Sequence, residues 1–360
     1  MSIRSNLKTT EIHHTSPREV LADHVDGFTG IRLAVVGDMI ADEYVYGLTW
    51  RISREAPVLI LRHAGDSIVM GGALNSVNNI IALGGTVFPL GYLGMDSRGD
   101  RLMEYMESRG VDTSGILRIS GVDTITKTRV MAGSSNTTMQ QVVRIDREPE
   151  DHLPAGTDTA ILEKLMAIED RIDGVLVSDY GYGAVGPAMR EYLSILCDRG
   201  KIVTVDSRYG LMGYRNVSFM TPNEEEVEGA TSQKIADETH LYEVARSIRK
   251  TTSCKSLLVT RGSRGMALMH GDDEMDLLPI YGSDEIADVT GAGDTVASTL
   301  TLSVCSGLGV HDSCRVANFA ASVVVLKNGT ATLDQEELKN KILREPLCGI
   351  ARRMISREYE

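Results

Sequence analysis

The chain has 360 residues, 42 % of them hydrophobic and only 5 % aromatic, with a formal net charge of −13. That length and hydrophobic share suffice for a sizeable core, while Lys and Arg are scattered rather than run together, which argues against a nucleic-acid partner. No apolar run approaches the ~20 residues of a membrane span and no apolar segment follows Met1, so a cytoplasmic protein without a membrane partner is expected.

Residues 1–15 are polar and expected to be loose. Ser16 and Glu19 have capping-box spacing with Pro17 at the first helical position, which predicts a short helix over 17–26. Ile31 to Val36 is an apolar, β-rich run that stops at Gly37-Asp38 and reads as a buried strand. Similar runs recur at 87–93, 174–177, 202–205 and 257–259. Helix-like segments separate them at 73–83, 98–108, 162–168, 187–199 and 240–250. This alternation predicts an α/β fold, a mostly parallel central sheet with helices on both faces.

Residues 43–63 and 116–146 break the pattern. Val58-Leu59-Ile60-Leu61-Arg62 and Thr126-Lys127-Thr128-Arg129-Val130 lack helical periodicity and read as antiparallel strands with one exposed face, together a small β-lid over the mouth of the core. With no repeat and no low-complexity linker, the expected layout is an N-terminal extension (1–29), one domain (30–340) and a C-terminal tail (341–360). The five cysteines (Cys197, Cys254, Cys305, Cys314, Cys348) have no close pairs, so neither a disulfide framework nor a zinc site follows from them; they are expected to be reduced and mostly buried.

Most of the chemistry is concentrated in Asp-Val-Thr-Gly-Ala-Gly-Asp-Thr, Asp288 to Thr295. Gly291 and Gly293 let the backbone turn sharply, and Ala297, Leu300 and Val304 then repeat at helical spacing. Glycines at a helix N-terminus make an anion site from unpaired N–H groups and the positive dipole end. Asp294 beside that site suits a general base that takes the proton of a hydroxyl attacking a bound phosphate.

Other polar residues fall at the carboxyl ends of strands, where ligands bind in open α/β sheets. Asp38 and Asp42 serve either as acceptors for sugar hydroxyls or as a turn residue and a helix cap. Gly71-Gly72 with Asn75 offers close backbone approach plus an amide. Asp179 and Asp206 each end a strand. Asn223 and Glu226, three apart on one helical face, fit Mg²⁺ held through water, or a cap with a solvated acidic face. Thr260-Arg261-Gly262-Ser263-Arg264-Gly265 reads as a tight hairpin that can also lean on a nucleotide. Gly37-Asp38 lacks the glycine fingerprint of a dinucleotide-binding oxidoreductase.

Taken in order, the Gly71-Gly72 pair, Asn223 with Glu226, Thr260-Arg261-Gly262 and the Asp288–Asp294 block resemble the PfkB, or ribokinase-like, carbohydrate kinases from about Arg32 to Thr330. Within that family the heptose 7-phosphate 1-kinases of ADP-heptose synthesis look most similar. The residues carrying this are Gly37-Asp38 with Asp42, Arg51-Ile-Ser-Arg-Glu-Ala-Pro-Val58, Gly71-Gly-Ala-Leu-Asn75, Thr126-Lys-Thr-Arg129, Arg144-Ile-Asp146 and Ser178-Asp-Tyr180. The resemblance implies a three-layer sandwich with a β-lid, ATP and Mg²⁺ as cofactors, a sugar or sugar-phosphate acceptor and a homodimer through the lid. It implies that Asp294 is the base, that the amides of Gly291, Ala292 and Gly293 hold the moving phosphate, and that Asn223 and Glu226 place the metal. Thr260, Gly262, Gly265, Asp288 and Asn318 would border the nucleotide. Asp38, Asp42, Gly71, Gly72, Asn75 and Asp179 would bind the sugar, with Lys127, Arg129 and Arg144 on its phosphate. The chain departs from the heptose kinases at Asp206-Ser207-Arg208, where they have Asp-Pro-Lys, and at Tyr182, where they have a lysine. That keeps open a kinase for another sugar, of ketohexose or ribose type, and a catalytically weak nucleotide- or sugar-binding relative. Bifunctional relatives carry a C-terminal nucleotidyltransferase domain, and with so little sequence after Thr330 that activity is expected to be absent.

Overall fold

The computed structural model describes residues 6–12, 16–134, 139–149, 153–271, 274–281, 288–327, 329–345 and 350–356. From the N-terminus run β1 (Asn6–Ile12), α1 (Arg18–Asp26), β2 (Arg32–Gly37), β3 (Met39–Ile52), β4 (Leu59–Gly72), α2 (Ala73–Ala82), β5 (Thr86–Gly94), α3 (Ser97–Glu107) and β6 (Ile116–Ile119). Then come β7 (Thr126–Gly133), β8 (Gln140–Arg147), α4 (Thr157–Ile168), β9 (Gly174–Asp179), α5 (Pro187–Asp198), β10 (Ile202–Ser207) and β11 (Phe219–Met220). Last are α6 (Glu224–Thr231), α7 (Glu238–Thr252), β12 (Ser256–Thr260), β13 (Met266–His270), β14 (Glu274–Leu278), α8 (Ala292–Cys305), α9 (Val310–Val324), α10 (Gln335–Arg344) and β15 (Ile350–Ser356).

Eleven strands form one sheet in the order β1-β15-β14-β13-β12-β11-β10-β9-β2-β5-β6. From β12 to β6 every neighbouring pair is parallel; from β12 through β13, β14 and β15 to β1 the pairs are antiparallel. Strand alternation explains the near-continuous apolar runs: Ala34 and Val36 face one helical layer with α4, α5 and α7, while Leu33 and Val35 face the other with α1, α2, α8 and α9. Both layers are buried, so the predicted three-layer α/β sandwich is the observed one.

A second sheet, ordered β4-β3-β7-β8, stands over the carboxyl ends of β2 and β9. It differs from the expectation in two ways. The central pair β3/β7 is parallel, and residues 116–119 (β6) belong to the edge of the large sheet. The N-terminal segment also differs, since Asn6–Ile12 pairs along its whole length with Ile350–Ser356. The partner strand is more than 300 residues distant, so no local signal announced it. The expected capping box on α1 is absent; Ser16 Oγ donates instead to Asp312. Cys197, Cys254 and Cys314 are buried thiols and Cys305 is half-buried; Cys348 lies outside the described residues. Among the described residues no helix is long and apolar enough to cross a membrane.

Candidate active site

The chain bends at Gly291, where φ is +79° and a Cβ would come within 2.5 Å of the Asn75 amide nitrogen. The intrahelical ladder of α8 starts with Thr295 N–H to Gly291 O at 3.1 Å, so the N–H groups of Gly293 and Asp294 lie in the first turn ahead of it. The anion site is narrower than expected, because the Ala292 amide donates to Val289 O at 3.2 Å. Asp288 folds the approach: its carboxylate accepts from Thr290 N, Thr290 Oγ1 and Gly329 N at 2.7–3.0 Å, and it does not line the cavity that gathers the other predicted nucleotide residues. Burial works to raise its pKa, but these bonds win and hold it below the ordinary range.

Asp294 is 6 % exposed, in the first turn of α8. Its Oδ2 accepts from Asn75 Nδ2 at 2.7 Å and its Oδ1 from Ser76 Oγ at 3.4 Å. Burial above all, aided by the charge of Asp42, pushes its pKa to about 7 against the pull of Asn75, Ser76 and Lys127. A carboxylate in that range is tuned for proton transfer near neutral pH.

Asp294 lines two adjoining cavities, and Gly293 beside it lines a third. The first, of 190 Å³, lies under the lid and is lined by Ile40, Asp42, Gly72, Lys127, Arg129, Arg144, Tyr180, Arg208, Thr290, Gly291, Asp294 and Thr330. Arg129 Nη1 donates to Asp42 Oδ1 at 2.5 Å, and Arg144 grips Asp146 with two bonds of 2.7 and 2.8 Å. Lys127 points its Nζ at the Tyr180 ring, 5.2 Å from the centroid, and burial lowers its pKa. Gly71 leaves room for Asp42, since a Cβ there would fall 2.4 Å from Oδ2. Lys127, Arg129 and Arg144 thus come from β7 and β8 to one pocket, as predicted, joined by Arg208 from the end of β10.

Three predicted sugar ligands are placed differently. Asp38 is fully buried and accepts from the backbone N–H groups of Tyr180, Tyr182 and Ala184 at 2.8–3.1 Å; it shapes the loop after β9 and does not line the cavity. Burial raises its pKa to about 6, against those three bonds. Asn75 is fully buried and spends its amide on Asp294, so it positions the base. Asp179 borders the second cavity, but its carboxylate is taken up by Tyr214, Ser207, Arg190 and the Gly181 amide.

The second cavity, 510 Å³, carries the acids Asp206, Glu225, Glu226 and Asp294 and shares Tyr180, Arg208, Gly291 and Asp294 with the first. Asn223 caps α6 rather than lying inside it: its side chain accepts from Glu226 N and the Glu226 carboxylate accepts from Asn223 N, both at 2.9 Å. The capping reading of this pair is therefore realised, and both side chains still line the cavity. Burial, then the charges of Glu226 and Asp294, drive Asp206 well above the ordinary carboxylate range. Carboxylates crowded in this way suit a divalent cation.

The third cavity, 530 Å³, opens from Asn223, Thr260 and Gly293, which it shares with the second. Gly262, Gly265, Ile280, Tyr281, Val289, Val296, Asn318, Ala321 and Val325 also line it, beside the charged Glu224, Glu225 and Arg261, so Thr260, Gly262, Gly265 and Asn318 gather as predicted. The Gly262–Arg264 turn joins antiparallel β12 and β13, the expected hairpin. Asn318 Nδ2 donates to Pro279 O at 2.7 Å and Tyr281 stacks on Phe319, fixing the far wall. Tyr180, Arg208 and Asp206 also line these cavities; the sequence placed Asp206 at a strand end and Arg208 at the heptose kinases' lysine position without assigning any of the three as a ligand. Asp206 carried the available signal, a carboxylate at the end of a parallel strand next to that of Asp179.

Residues 31–337 match the family described as pfkB family carbohydrate kinase. The chain belongs to the PfkB family. Among curated proteins it is 36 % identical over 323 residues to Bifunctional protein HldE of Desulfatibacillum aliphaticivorans, covering 89 % of this chain and 65 % of that one. It is 36 % identical to the protein of the same name from Geobacter sulfurreducens (86 % and 62 % covered) and 35 % identical to that from Helicobacter pylori HPAG1 (85 % and 65 % covered). The chain thus spans somewhat less than two thirds of these relatives. Among solved structures it superposes on Arabidopsis thaliana ribokinase complexed with ribose and ATP with a TM-score of 0.66 at 19 % identity, covering 87 % of this chain and 98 % of that one. Phosphofructokinase-2 from Escherichia coli, in complex with substrates and products, gives 0.68 at 16 % identity, with the same coverage. The fold is ribokinase-like, and membership of this kinase family makes the chain a phosphotransferase acting on a carbohydrate.

Proposed function

We propose that this PfkB-family kinase transfers the terminal phosphoryl group of ATP to the 1-hydroxyl of heptose 7-phosphate. The observation that carries the reading is the position of Asp294, a buried carboxylate with a pKa near 7 that lines both the cationic acceptor pocket and the acidic cavity, while its neighbour Gly293 lines the larger nucleotide-sized one. The acceptor hydroxyl donates to Asp294, which takes its proton as the oxygen attacks in line; Asn75 and Ser76 keep the carboxylate aimed. The first-turn amides of α8 face the transferring group and stabilise charge that grows on it. The apolar wall of Tyr281, Val289, Val296 and Ala321 takes the base and Asn318 borders it. Asp206 and Glu226 would hold Mg²⁺, largely through water beside Asn223, and the ion would supply positive charge to the nucleotide's phosphates.

Lys127, Arg129, Arg144 and Arg208 form the cationic side of the acceptor pocket, which favours a sugar that already bears a phosphate. Another phosphorylated sugar is the second reading, favoured by Arg208 at the family's lysine position and by Tyr182, whose hydroxyl donates to Glu148 rather than into the pocket. The lid exposes Trp50, Ile52, Val143 and Ile145, which supports a homodimer formed there. A coupled ADP assay over heptose 7-phosphate, fructose 6-phosphate, ribose and unphosphorylated heptose tests the proposal. The highest kcat/KM is expected for the heptose phosphate; equal or better use of an unphosphorylated sugar would reject it.

A further inference from the structure

At the opposite end of the β13–β14 hairpin from Met266, which lines the 530 Å³ cavity, two histidines and an aspartate from three elements converge. His270 closes β13, Asp276 lies in β14, and His311 is in the first turn of α9. Register explains the convergence. His270 pairs directly with Glu274, and Asp276 lies two residues on from Glu274, on the same face of the hairpin. That face also carries Met266, Leu268 and Leu278, which pack with Cys314 and Ala317 of α9. His311, one turn before Cys314, is thereby brought over the carboxylate.

His270 Nε2 lies 2.8 Å and His311 Nε2 2.5 Å from the same oxygen, Asp276 Oδ2. The two rings meet edge to face at 4.6 Å. All three ligand atoms lie within 4.8 Å of one another, and Asp276 is fully buried while His311 is about one-third exposed. Zinc–nitrogen and zinc–oxygen bonds of about 2.0–2.2 Å place neighbouring ligands roughly 3.3–3.6 Å apart in a tetrahedron. Small side-chain rotations reach that spacing. Glu274 Oε2, 4.0 Å from His270 Nε2, stands at the rim.

We propose that His270, Asp276 and His311 bind one Zn²⁺-like divalent transition ion, with solvent or Glu274 completing the shell. Imidazole nitrogens with a single carboxylate select such ions over Mg²⁺ or Ca²⁺, which prefer all-oxygen shells. The ion would clasp the β13–β14 hairpin to the start of α9. The same two elements are tied at their other ends by Asn318 to Pro279 and by Tyr281 on Phe319, at the wall of the 530 Å³ cavity.

The test uses untagged full-length protein stripped with chelator and titrated with Zn²⁺ in excess Mg²⁺, which occupies hard oxygen sites. Metal content after desalting and thermal unfolding are read together. The wild type is expected to retain one zinc per chain and to gain about 3 °C in Tm at a hundredfold excess over Kd. His311→Gln is expected to retain none and to gain nothing. Wild-type protein that retains no zinc, or a variant that retains as much, overturns the site. Should His311→Gln fail to fold, Co²⁺ loaded into the wild type decides: visible ligand-field bands of an imidazole-bound ion support the site, and their absence rejects it.

Discussion

Replacing Asp294 by Asn separates the function of the carboxylate from its cost. The substitution keeps an oxygen for Asn75 but removes the base, so turnover should fall ~10²-fold or more. Stability should move the other way. Folding raises the Asp294 pKa from 3.8 to about 7, so the folded state holds the proton more tightly and loses stability as pH rises between those values. At 1.36 kcal/mol per pH unit the full loss is roughly 4 kcal/mol above pH 7. Between pH 5 and pH 8 the advantage of the Asn variant should widen by roughly 2–3 kcal/mol. For a chain of 360 residues that is about 3 °C in Tm. Thermal unfolding of both proteins at the two pH values, beside initial rates of ADP release, measures both effects. A Tm difference that does not change with pH, or turnover within threefold of wild type, would refute the placing of Asp294 as a buried base.

Asn75→Ala removes the 2.7 Å bond that favours the ionised base. The acid limb of the kcat/KM profile should shift upward, with roughly a tenfold slower rate at pH 7; an unmoved limb would show that Asn75 does not tune Asp294. Arg144→Ala removes a cation from the acceptor pocket and should raise KM for a phosphorylated sugar at least ~10-fold, since a charge-assisted contact is worth about 1.5–3 kcal/mol, while kcat changes little. Steady-state kinetics on phosphorylated and unphosphorylated sugars read this directly, and an equal effect on both would remove Arg144 from the phosphate.

The core was legible because parallel strands buried on both faces are written as apolar runs, and Ile31–Val36 or Ile202–Val205 can be little else. The glycine block before α8 was legible because a left-handed bend and a helix start both constrain residue type. Which of two nearby carboxylates reaches the pocket was not legible. Asp38 and Asp42 are four residues apart, yet Asp38 is the single link between β2 and β3 while Asp42 lies within β3, so one turns into the β9 loop and the other under the lid. Asn75 and Asp294 meet across 219 residues, a tertiary pairing with no local signature. The same holds for β1 on β15, and for Arg208, which enters the acceptor pocket from the central sheet while its cationic neighbours come from the lid.

In the proposed reaction a phosphoryl group crosses from the nucleotide cavity to a phosphorylated sugar at Asp294. Phosphorus NMR of a reaction containing Mg²⁺, ATP and heptose 7-phosphate follows that transfer atom by atom. ADP is expected together with a sugar bisphosphate whose new phosphorus couples to the anomeric proton. Release of inorganic phosphate in its place, or an unchanged heptose 7-phosphate signal beside intact ATP, would contradict it.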